Sequence, residues 1–353
     1  MNQSPLLLDN LKKTVESLGQ ESSRSYKETA FQFLRFPTAR PACDAHGVKR
    51  YTSPYAGGNF SCITGNDPDT LAFDEYTYKN LARVQKVLGG PECGLAHTTS
   101  TDYWDTRPPQ VKIDSLKSYL NEYTEVPSAS LPRGVGFGIR FQSWSFNCPK
   151  FLLSFYEYLA AKGVTFRKDK LDHISSAFTQ NTKVVFNCTG LGAKELGGVR
   201  DPNVYPTRGQ VLVVKAPHIT ENVMRWGDDY ATYIIKRPSS HDQLILGGFM
   251  QKDDWTADTF KSQNLDILER TTSLYPKILQ DNPQGPNMAD LEILRSVAGL
   301  RPSRHGGVRI ERQLLPHGRK LIHNYGASGY GYQAGLGMAR KAVFLAIQEP
   351  SKL

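Results

Sequence analysis

The 353-residue sequence has no apolar run approaching the roughly 18 consecutive residues of a membrane-spanning helix. A leucine triplet at residues 6–8 is too short for the apolar region of a secretory signal and lacks its flanks. The hydrophobic fraction of 39% is still enough for a packed core. These features argue against a membrane protein and predict a soluble globular one.

Paired cysteines and clustered histidines are also missing. The five cysteines form no C-x-x-C pair and their number is odd, which predicts free thiols in a reducing compartment. The eight histidines show no H-E-x-x-H or similar spacing, so we predict no metal site. Isolated histidines such as His173 and His218 are predicted to lie at the surface.

Charge is unbalanced but not concentrated. Lysine and arginine exceed aspartate and glutamate by 43 to 34, for a net charge of +9. The basic residues are spread along the chain, which favours a generally cationic surface over a nucleic-acid footprint. We therefore predict no nucleic-acid partner.

Two regions carry different patterns of secondary structure. Helical stripes at Thr77–Leu88 and Pro149–Lys162, followed by the strand-like segments 164–166 and 184–188, are typical of a parallel α/β layer. Three further strand-like segments are separated by polar loops without helices, which predicts antiparallel sheet. They are residues 211–215, 232–235 and 244–246.

Glycine-rich turns follow two of the apolar strands. Leu321–Tyr325 leads into a turn with glycines at 326, 329 and 331, and then into a helix predicted from about Gln333 to Gln348. Glycines let backbone N–H groups approach a ligand, and a helix N-terminus favours negative charge. The turn Thr189-Gly-Leu-Gly192 follows another strand, where an ordinary strand-to-helix turn is an equal alternative.

Two short C-terminal signals point to chemistry and to location. Arg301 lies between an apolar run and Pro302, and its planar guanidinium could bind a carboxylate with two parallel hydrogen bonds. A structural salt bridge is the alternative for this arginine. The final residues Ser351-Lys352-Leu353 form a peroxisomal targeting signal that is read by an import receptor, which predicts the peroxisomal matrix.

Several motifs in order resemble the fungal branch of the D-amino-acid oxidase family, a group of FAD-dependent flavoproteins. They are residues 51–60, 183–193, 206–211, 233–238, 247–255, 299–304 and 321–333. The resemblance covers roughly residues 50–353. It implies oxidative deamination of D-amino acids to 2-oxo acids, with ammonia and hydrogen peroxide as further products, O2 as electron acceptor and FAD as cofactor. A homodimer is one assembly that this resemblance allows.

The resemblance also assigns site residues. The implied substrate-binding residues are Arg301, Tyr233, Met250, Ser328 and Gly329. The implied FAD-binding residues are Gly57, Gly58, Asn59, Thr189, Gly190, Gly192, Ser328, Gly329, Tyr330, Gly331, Tyr332 and Gln333. Arg301 would pair with the substrate α-carboxylate and Tyr233 would hydrogen-bond the same group, whereas Arg208 and Arg304 are more ambiguous and could be structural.

Met250 favours neutral substrates. In D-aspartate oxidases the resemblance places an arginine here for the second carboxylate, and a thioether cannot pair that charge. Arg225 weakens this prediction because it also matches a cationic position in those relatives and could lie on a loop near the pocket mouth. D-aspartate oxidase therefore remains an alternative.

The start of the chain lacks the G-x-G-x-x-G turn that should bind the FAD pyrophosphate, since Gly19 and Gly47 are the only glycines before residue 50. Either the first 49 residues come from a misplaced exon or a frameshift, or the chain is a degenerate, catalytically inactive relative with a defective FAD site.

The predicted fold class is α/β (α+β), with a Rossmann-like FAD layer that is incomplete at its N-terminus and a mostly antiparallel substrate-binding sheet. The predicted units are an atypical segment 1–49, a discontinuous FAD-binding domain of 50–204 and 296–348, a substrate-binding domain of 205–295, and the targeting tail 351–353.

Overall fold

A computed structural model describes residues 30–34 and 52–348 as two sheets with flanking helices. The helices are α1 Pro68–Val87, α2 Gln110–Tyr119, α3 Cys148–Ala161, α4 Lys261–Leu274, α5 Lys277–Gln280 and α6 Gly335–Ile347. The strands are β1 Ala30–Leu34, β2 Leu95–Trp104, β3 Thr124–Glu125, β4 Phe137–Phe146, β5 Thr182–Asn187, β6 Val204–Lys215, β7 Asn222–Trp226, β8 Ala231–Lys236, β9 Gln243–Gly247, β10 Gln251–Lys252, β11 Ile293–Arg304, β12 Arg309–Leu315 and β13 Arg319–Tyr325.

The smaller sheet has the order β1-β5-β13-β12, in which β1, β5 and β13 run parallel and β12 is antiparallel. Alternate residues face opposite sides: Phe186 and Ile322 pack with Ala342 of α6, whereas Val185 and Leu321 pack on the other face. The predicted parallel layer is confirmed at β5.

The predicted strand at 164–166 is wrong, because these residues form no strand. Both edges of β5 are occupied by β1 and β13, so residues 164–166 have no place beside the strand that they were predicted to accompany. A strand that the sequence analysis did not predict lies before residue 50, where Ala30–Leu34 pairs in parallel with β5. The peroxisomal signal and Cys43 lie outside the described residues.

The larger sheet has the order β10-β6-β9-β8-β7-β2-β4-β3. Strands β9 and β10 pair with different parts of one edge of β6, and β11 pairs along the opposite edge. Its central pairs β6–β9, β8–β9 and β7–β8 are antiparallel, which confirms the three predicted segments. This sheet also includes β2, β3, β4 and β11, which lie partly or wholly within the predicted FAD-binding ranges. The domain boundaries stay a prediction.

Strand β11 connects the two sheets. It pairs with β6 from Ile293 opposite Val214 to Arg304 opposite Val204. Near its end, Ser303 also forms an isolated bridge with Ala327, just after β13. The C-terminal end of β11 therefore lies where the two sheets meet.

The three predicted helices are present, with starts that differ from the predicted ones to different extents. Helix α1 begins well before the predicted Thr77, because the Asp67 side chain accepts a hydrogen bond from the Thr70 backbone and Pro68 occupies the first turn. Helix α3 confirms the predicted second helix almost residue for residue. Helix α6 begins at Gly335, two residues after the predicted start.

Thiols and histidines fall mostly as expected. Cys62, Cys93, Cys148 and Cys188 are free thiols. His173 is exposed, but His218 is half-buried and its Nε2 lies 3.2 Å from the Ile278 carbonyl oxygen, so the surface prediction is wrong for that residue.

No helix among residues 52–348 is long and apolar enough to cross a membrane. Within the same residues, no group of acidic, histidine and cysteine side chains could hold a metal ion.

The core of the larger sheet contains a buried carboxyl group. Asp102 on β2 is fully buried, and its Oδ1 accepts a hydrogen bond from Ser100 at 2.7 Å. Burial raises the pKa of Asp102 to about 7, which the Ser100 hydrogen bond and the Lys112 charge offset only in part. Between pH 3.8, the ordinary pKa, and pH 7 the folded chain therefore keeps a proton that the unfolded chain has lost.

We expect this group to make the protein less stable as pH rises through that window, with the full cost present above pH 7. Asp102→Asn removes the charge, so it should raise the free energy of unfolding at pH 8. The gain is on the order of 2–4 kcal/mol, because one pKa unit corresponds to about 1.4 kcal/mol. Urea unfolding at pH 5, 6, 7 and 8 measures the difference. Equal pH slopes in the two proteins would contradict the assignment.

Candidate functional site

Arg301 and Tyr233 meet although 68 positions separate them in the chain. Arg301 extends from β11, and its Nη2 donates to the Tyr233 Oη on β8 at 3.3 Å. Its Nη1 donates to the Phe249 carbonyl at 2.8 Å. The guanidinium lies flat against Gly209 of β6, where a Cβ would come within 2.4 Å of both Nη atoms.

None of the ion pairs formed among the described residues includes Arg301. The alternative of a structural salt bridge therefore has no support there. The two Nη groups each carry two N–H bonds, and each is observed with one acceptor. A half-buried guanidinium with donors to spare is suited to binding a carboxylate.

Tyr233 is held by glycines on two sides. Its ring packs against Gly247 and Gly248, where a Cβ would lie 2.2 Å from ring carbon or hydroxyl atoms. On another side, a Cβ at Gly57 would lie 3.7 Å from the ring and 2.7 Å from Ile235. Any larger side chain at Gly247 or Gly248 would displace the tyrosine from Arg301.

The turn after β13 reaches the same place. Ser328 adopts a left-handed backbone conformation with φ of 47°, and its Oγ accepts a hydrogen bond from the Ser303 Oγ at 2.9 Å. The next residue, Gly329, is exposed, and a Cβ there would lie 3.4 Å from the Arg301 Cδ. The structure thus brings together Arg301, Tyr233, Ser328 and Gly329.

The turn after β5 approaches β11 beside Arg301. Gly190 has φ of 57°, and a Cβ there would lie 3.3 Å from the Pro302 Cβ. The Asn187 side chain at the end of β5 accepts hydrogen bonds from the Thr189 N–H and hydroxyl groups, which fixes the turn. A Cβ at Gly192 would contact only Thr189.

Three of the predicted FAD-binding residues have buried roles of their own. Gly58 packs so closely that a Cβ would lie 2.6 Å from the Cys148 Sγ. The Asn59 Oδ1 accepts hydrogen bonds from Ser143 and Asn222. The role of Gly58 and Asn59 in cofactor binding stays a prediction.

Gln333 is the third of these residues and is 1% exposed. Its Oε1 accepts from the Ser61 N–H, and its Nε2 donates to Asp74 at 2.6 Å. These bonds tie the turn after β13 to helix α1, and a direct contact with FAD stays a prediction.

The rest of the C-terminal turn is more open. Gly331 is exposed, and a Cβ there would contact no heavy atom within 4 Å. Tyr332 donates from its hydroxyl to the Ser53 carbonyl at 3.1 Å, and its ring centroid lies 5.1 Å from that of Phe146. Tyr330 is half-buried at the start of this open edge.

Met250 and Arg225, the two residues that bear on substrate charge, lie in different surroundings. Met250 is 40% exposed and directly follows Phe249. Arg225 lies on strand β7, so the prediction of a loop position is wrong. Its Nε donates to Asp105 at 2.8 Å, and the other oxygen of that carboxylate accepts from Tyr230. The charge of Arg225 is therefore already paired.

The two ambiguous arginines are structural. Arg208 is wholly buried, and its guanidinium donates to the Thr256 and Asp258 carbonyls and to glutamine side chains. Arg304 pairs with Asp201 at 2.8 Å.

Sequence patterns did not identify three contributors to the site. Gly209 lies within the family motif at residues 206–211. A glycine inside a strand indicates that another group approaches the backbone closely. Ser303 holds Ser328, and the Phe249 carbonyl holds Arg301. A backbone acceptor has no sequence signal, because every residue carries one.

The described residues fit one side of a dinucleotide site. A half-buried glycine backbone at 190 and exposed ones at 329 and 331 follow the carboxyl ends of the parallel strands β5 and β13, the edge at which open α/β sheets bind nucleotides. Gly331 in particular leaves space that a side chain would fill. The G-x-G-x-x-G turn that would complete the other side does not occur in the first 50 residues of the sequence.

Comparisons with known proteins agree with this geometry. Residues 43–345 match the family described as DAO, FAD dependent oxidoreductase. The chain is 42% identical over 300 residues to a D-amino-acid oxidase of Schizosaccharomyces pombe, covering 84% of each protein. It is 25% identical to a D-aspartate oxidase of Talaromyces thermophilus, covering 88% of this chain and 81% of the relative.

Solved structures show the same fold at low sequence identity. Glycine oxidase from Geobacillus kaustophilus superposes with a TM-score of 0.64 at 16% identity, covering 85% of this chain and 86% of the other. L-proline dehydrogenase from P. horikoshii also gives 0.64, at 13% identity and 85% coverage of each.

Gly209→Ala is expected to push the Arg301 guanidinium away from Tyr233 and the Phe249 carbonyl, because the new methyl group would overlap it. We expect the dissociation constant for a small carboxylate such as pyruvate to rise roughly tenfold, the loss of about one charge-assisted hydrogen bond. Isothermal titration calorimetry measures it. Gly335→Ala is the matched control, since a Cβ there contacts nothing within 4 Å. Equal affinity in the two variants would contradict the close approach.

Proposed function

Because this chain belongs to the DAO family of FAD-dependent oxidoreductases, we propose that it oxidises neutral D-amino acids. A D-amino acid, O2 and water would give a 2-oxo acid, ammonia and hydrogen peroxide. The single observation that carries the proposal is the Arg301–Tyr233 pair, whose arginine has no acidic partner among the described residues and lies beside Gly329 in the turn after β13. The 42% identity to a D-amino-acid oxidase supports the same activity.

The residues of this chain would bind and orient the substrate. The two Nη groups of Arg301 would donate to the α-carboxylate, with the Tyr233 hydroxyl as a further donor. Gly329 and Ser328 border the same space and leave room for the substrate backbone. Holding the carboxylate at fixed points orients the Cα–H bond, which is the main contribution a protein makes to a cofactor's chemistry.

FAD, when bound, supplies the acceptor for the hydride from Cα and the route by which its two electrons reach O2. The residues that would hold it are the glycine-rich backbones of the turns after β5 and β13 and the Gly57 turn. The imino acid left behind hydrolyses to the 2-oxo acid and ammonia. With the substrate amine neutral, no side-chain base is needed to remove its proton.

Two observations favour neutral substrates over D-aspartate. Met250 offers no charge for a second carboxylate, and Arg225 is already paired with Asp105. A side-chain carboxylate brought into this site would find no free cation at either position, and an unpaired carboxylate is costly when it is buried. D-aspartate oxidase is the second candidate, supported by the 25% identical relative.

The competing hypothesis is a catalytically inactive chain, because the G-x-G-x-x-G turn that would bind the FAD pyrophosphate is missing. Purified 353-residue protein that shows visible flavin absorbance and makes peroxide from D-alanine supports the enzyme. A colourless protein that stays inactive with excess FAD and D-alanine would reject it for this chain. Sequencing the 5′ end of the transcript decides whether the first 49 residues are genuine.

Peroxisomal location is part of the proposal and is supported by the C-terminal Ser351-Lys352-Leu353. The import receptor is the partner that this signal would bind. Removing these three residues should leave a fluorescently tagged protein in the cytosol.

A homodimer is proposed as the assembly, to be tested by light scattering.

Arg301→Lys is expected to raise the KM for D-alanine by roughly 10–100-fold, because an ammonium group cannot donate two parallel bonds to one carboxylate. Peroxide production at saturating FAD measures it. Arg304→Lys on the same strand is the matched control, since Arg304 pairs with Asp201 and should leave KM unchanged. Equal effects of the two substitutions would contradict the role of Arg301.

Met250→Arg is expected to shift the ratio of kcat/KM values toward D-aspartate by roughly fivefold. The shift is smaller than for a buried pair, because solvent screens a charge at a position that is 40% exposed. Met250→Leu is the control and should preserve the preference for D-alanine. If Met250→Arg leaves the ratio unaltered, this residue does not set the substrate charge.

A further inference from the structure

One guanidinium joins helix α4 to strand β8 and to the loop after β9. Arg270 donates from Nη1 to the Ala231 carbonyl at 3.0 Å and to the Thr232 hydroxyl at 2.8 Å. Its Nη2 donates to the Gly248 carbonyl at 3.0 Å. Asp266, one helical turn earlier, accepts from Nε and Nη2 at 2.9 and 2.7 Å.

These contacts converge on the backbone that carries the partners of Arg301. Gly248 is bonded to Phe249, whose carbonyl accepts from Arg301, and the Arg270 guanidinium lies 5.4 Å from the centroid of the Phe249 ring. Thr232 directly precedes Tyr233, the other partner of Arg301. Arg270 therefore contacts both segments on which the orientation of Arg301 depends.

We infer that Arg270, with its charge balanced by Asp266, is a positioning residue for the carboxylate-binding arginine. It fixes the Gly248–Phe249 backbone relative to β8, so the Phe249 carbonyl and the Tyr233 hydroxyl stay at the separation that Arg301 spans. This inference rests on the proposed function of Arg301 as the carboxylate-binding residue.

The arrangement requires arginine. The observed contacts spread over Nε, Nη1 and Nη2 and reach a helix, a strand and a loop at once. A lysine has one nitrogen and cannot reach these acceptors together. Asp266 also offsets the repulsion expected between two guanidinium groups that bind the carbonyls of adjacent residues.

Arg270→Gln and Arg270→Lys test the inference in the FAD-supplemented full chain. We expect the dissociation constant for pyruvate, measured by calorimetry, and the KM for D-alanine to rise together by about fivefold to tenfold. The affinity for FAD, measured by flavin fluorescence, and kcat at saturating D-alanine should change by less than twofold. Arg270→Lys carries the same test if the glutamine variant does not fold.

Arg140→Gln is the matched control. Arg140 also forms an ion pair in the larger sheet, with Glu221 at 2.9 Å, but it has no observed contact with residues 247–250. It should change stability without changing pyruvate affinity. A merely structural Arg270 would behave like Arg140, and that result overturns the inference.

A double-mutant cycle shows whether Arg270 acts through Arg301. In the Arg301→Lys background, Arg270→Gln should weaken pyruvate binding by less than twofold, whereas additive losses would contradict the coupling. Wild-type protein that binds pyruvate but does not oxidise D-alanine would reject the proposed oxidase function and leave this inference standing. Wild-type protein that binds no pyruvate overturns the inference itself.

Discussion

The pairing of β11 with β6 is the constraint on which the candidate site depends. It aligns Ile293–Arg304 along the whole of β6, and the bridge from Ser303 to Ala327 then ties the same strand to the end of β13. A shift of one residue in this register would turn Arg301 to the opposite face of the sheet. Buried Ala298 and Leu300, together with the hydroxyl contact between Thr207 and Ser303, oppose such a shift.

Arg301 differs from three other arginines of the larger sheet and its surroundings in what holds its guanidinium. Arg225, Arg270 and Arg304 each have a carboxylate within 2.8 Å. Arg301 is instead held by neutral oxygens, the Phe249 carbonyl and the Tyr233 hydroxyl. Neutral acceptors orient the guanidinium without cancelling its charge, so an incoming carboxylate would meet a positive group that is already in place.

Glycines let the Arg301 and Tyr233 side chains pack directly against the backbone of neighbouring strands. The guanidinium occupies the space of a side chain at Gly209, and the Tyr233 ring occupies that of Gly247 and Gly248. The signals were present in the sequence as glycines within or next to apolar strands. Which atom filled each gap depended on strand pairing, because residues on β6, β8, β9 and β11 become neighbours only in the sheet.

The sequence by itself determined the family and some of the local elements, including helices α1, α3 and α6. Alternation and apolar runs located β5, β6, β8, β9 and β13, and the motif at residues 299–304 singled out Arg301. Tertiary structure decided what periodicity does not encode. It paired β5 with β1 and β13 and so left no place beside β5 for residues 164–166, placed Arg225 against Asp105, and assigned the Phe249 carbonyl to Arg301. The physical reason is that patterning reports how each segment buries its own apolar face, whereas ion pairs, sheet edges and backbone acceptors depend on which distant segment arrives beside it.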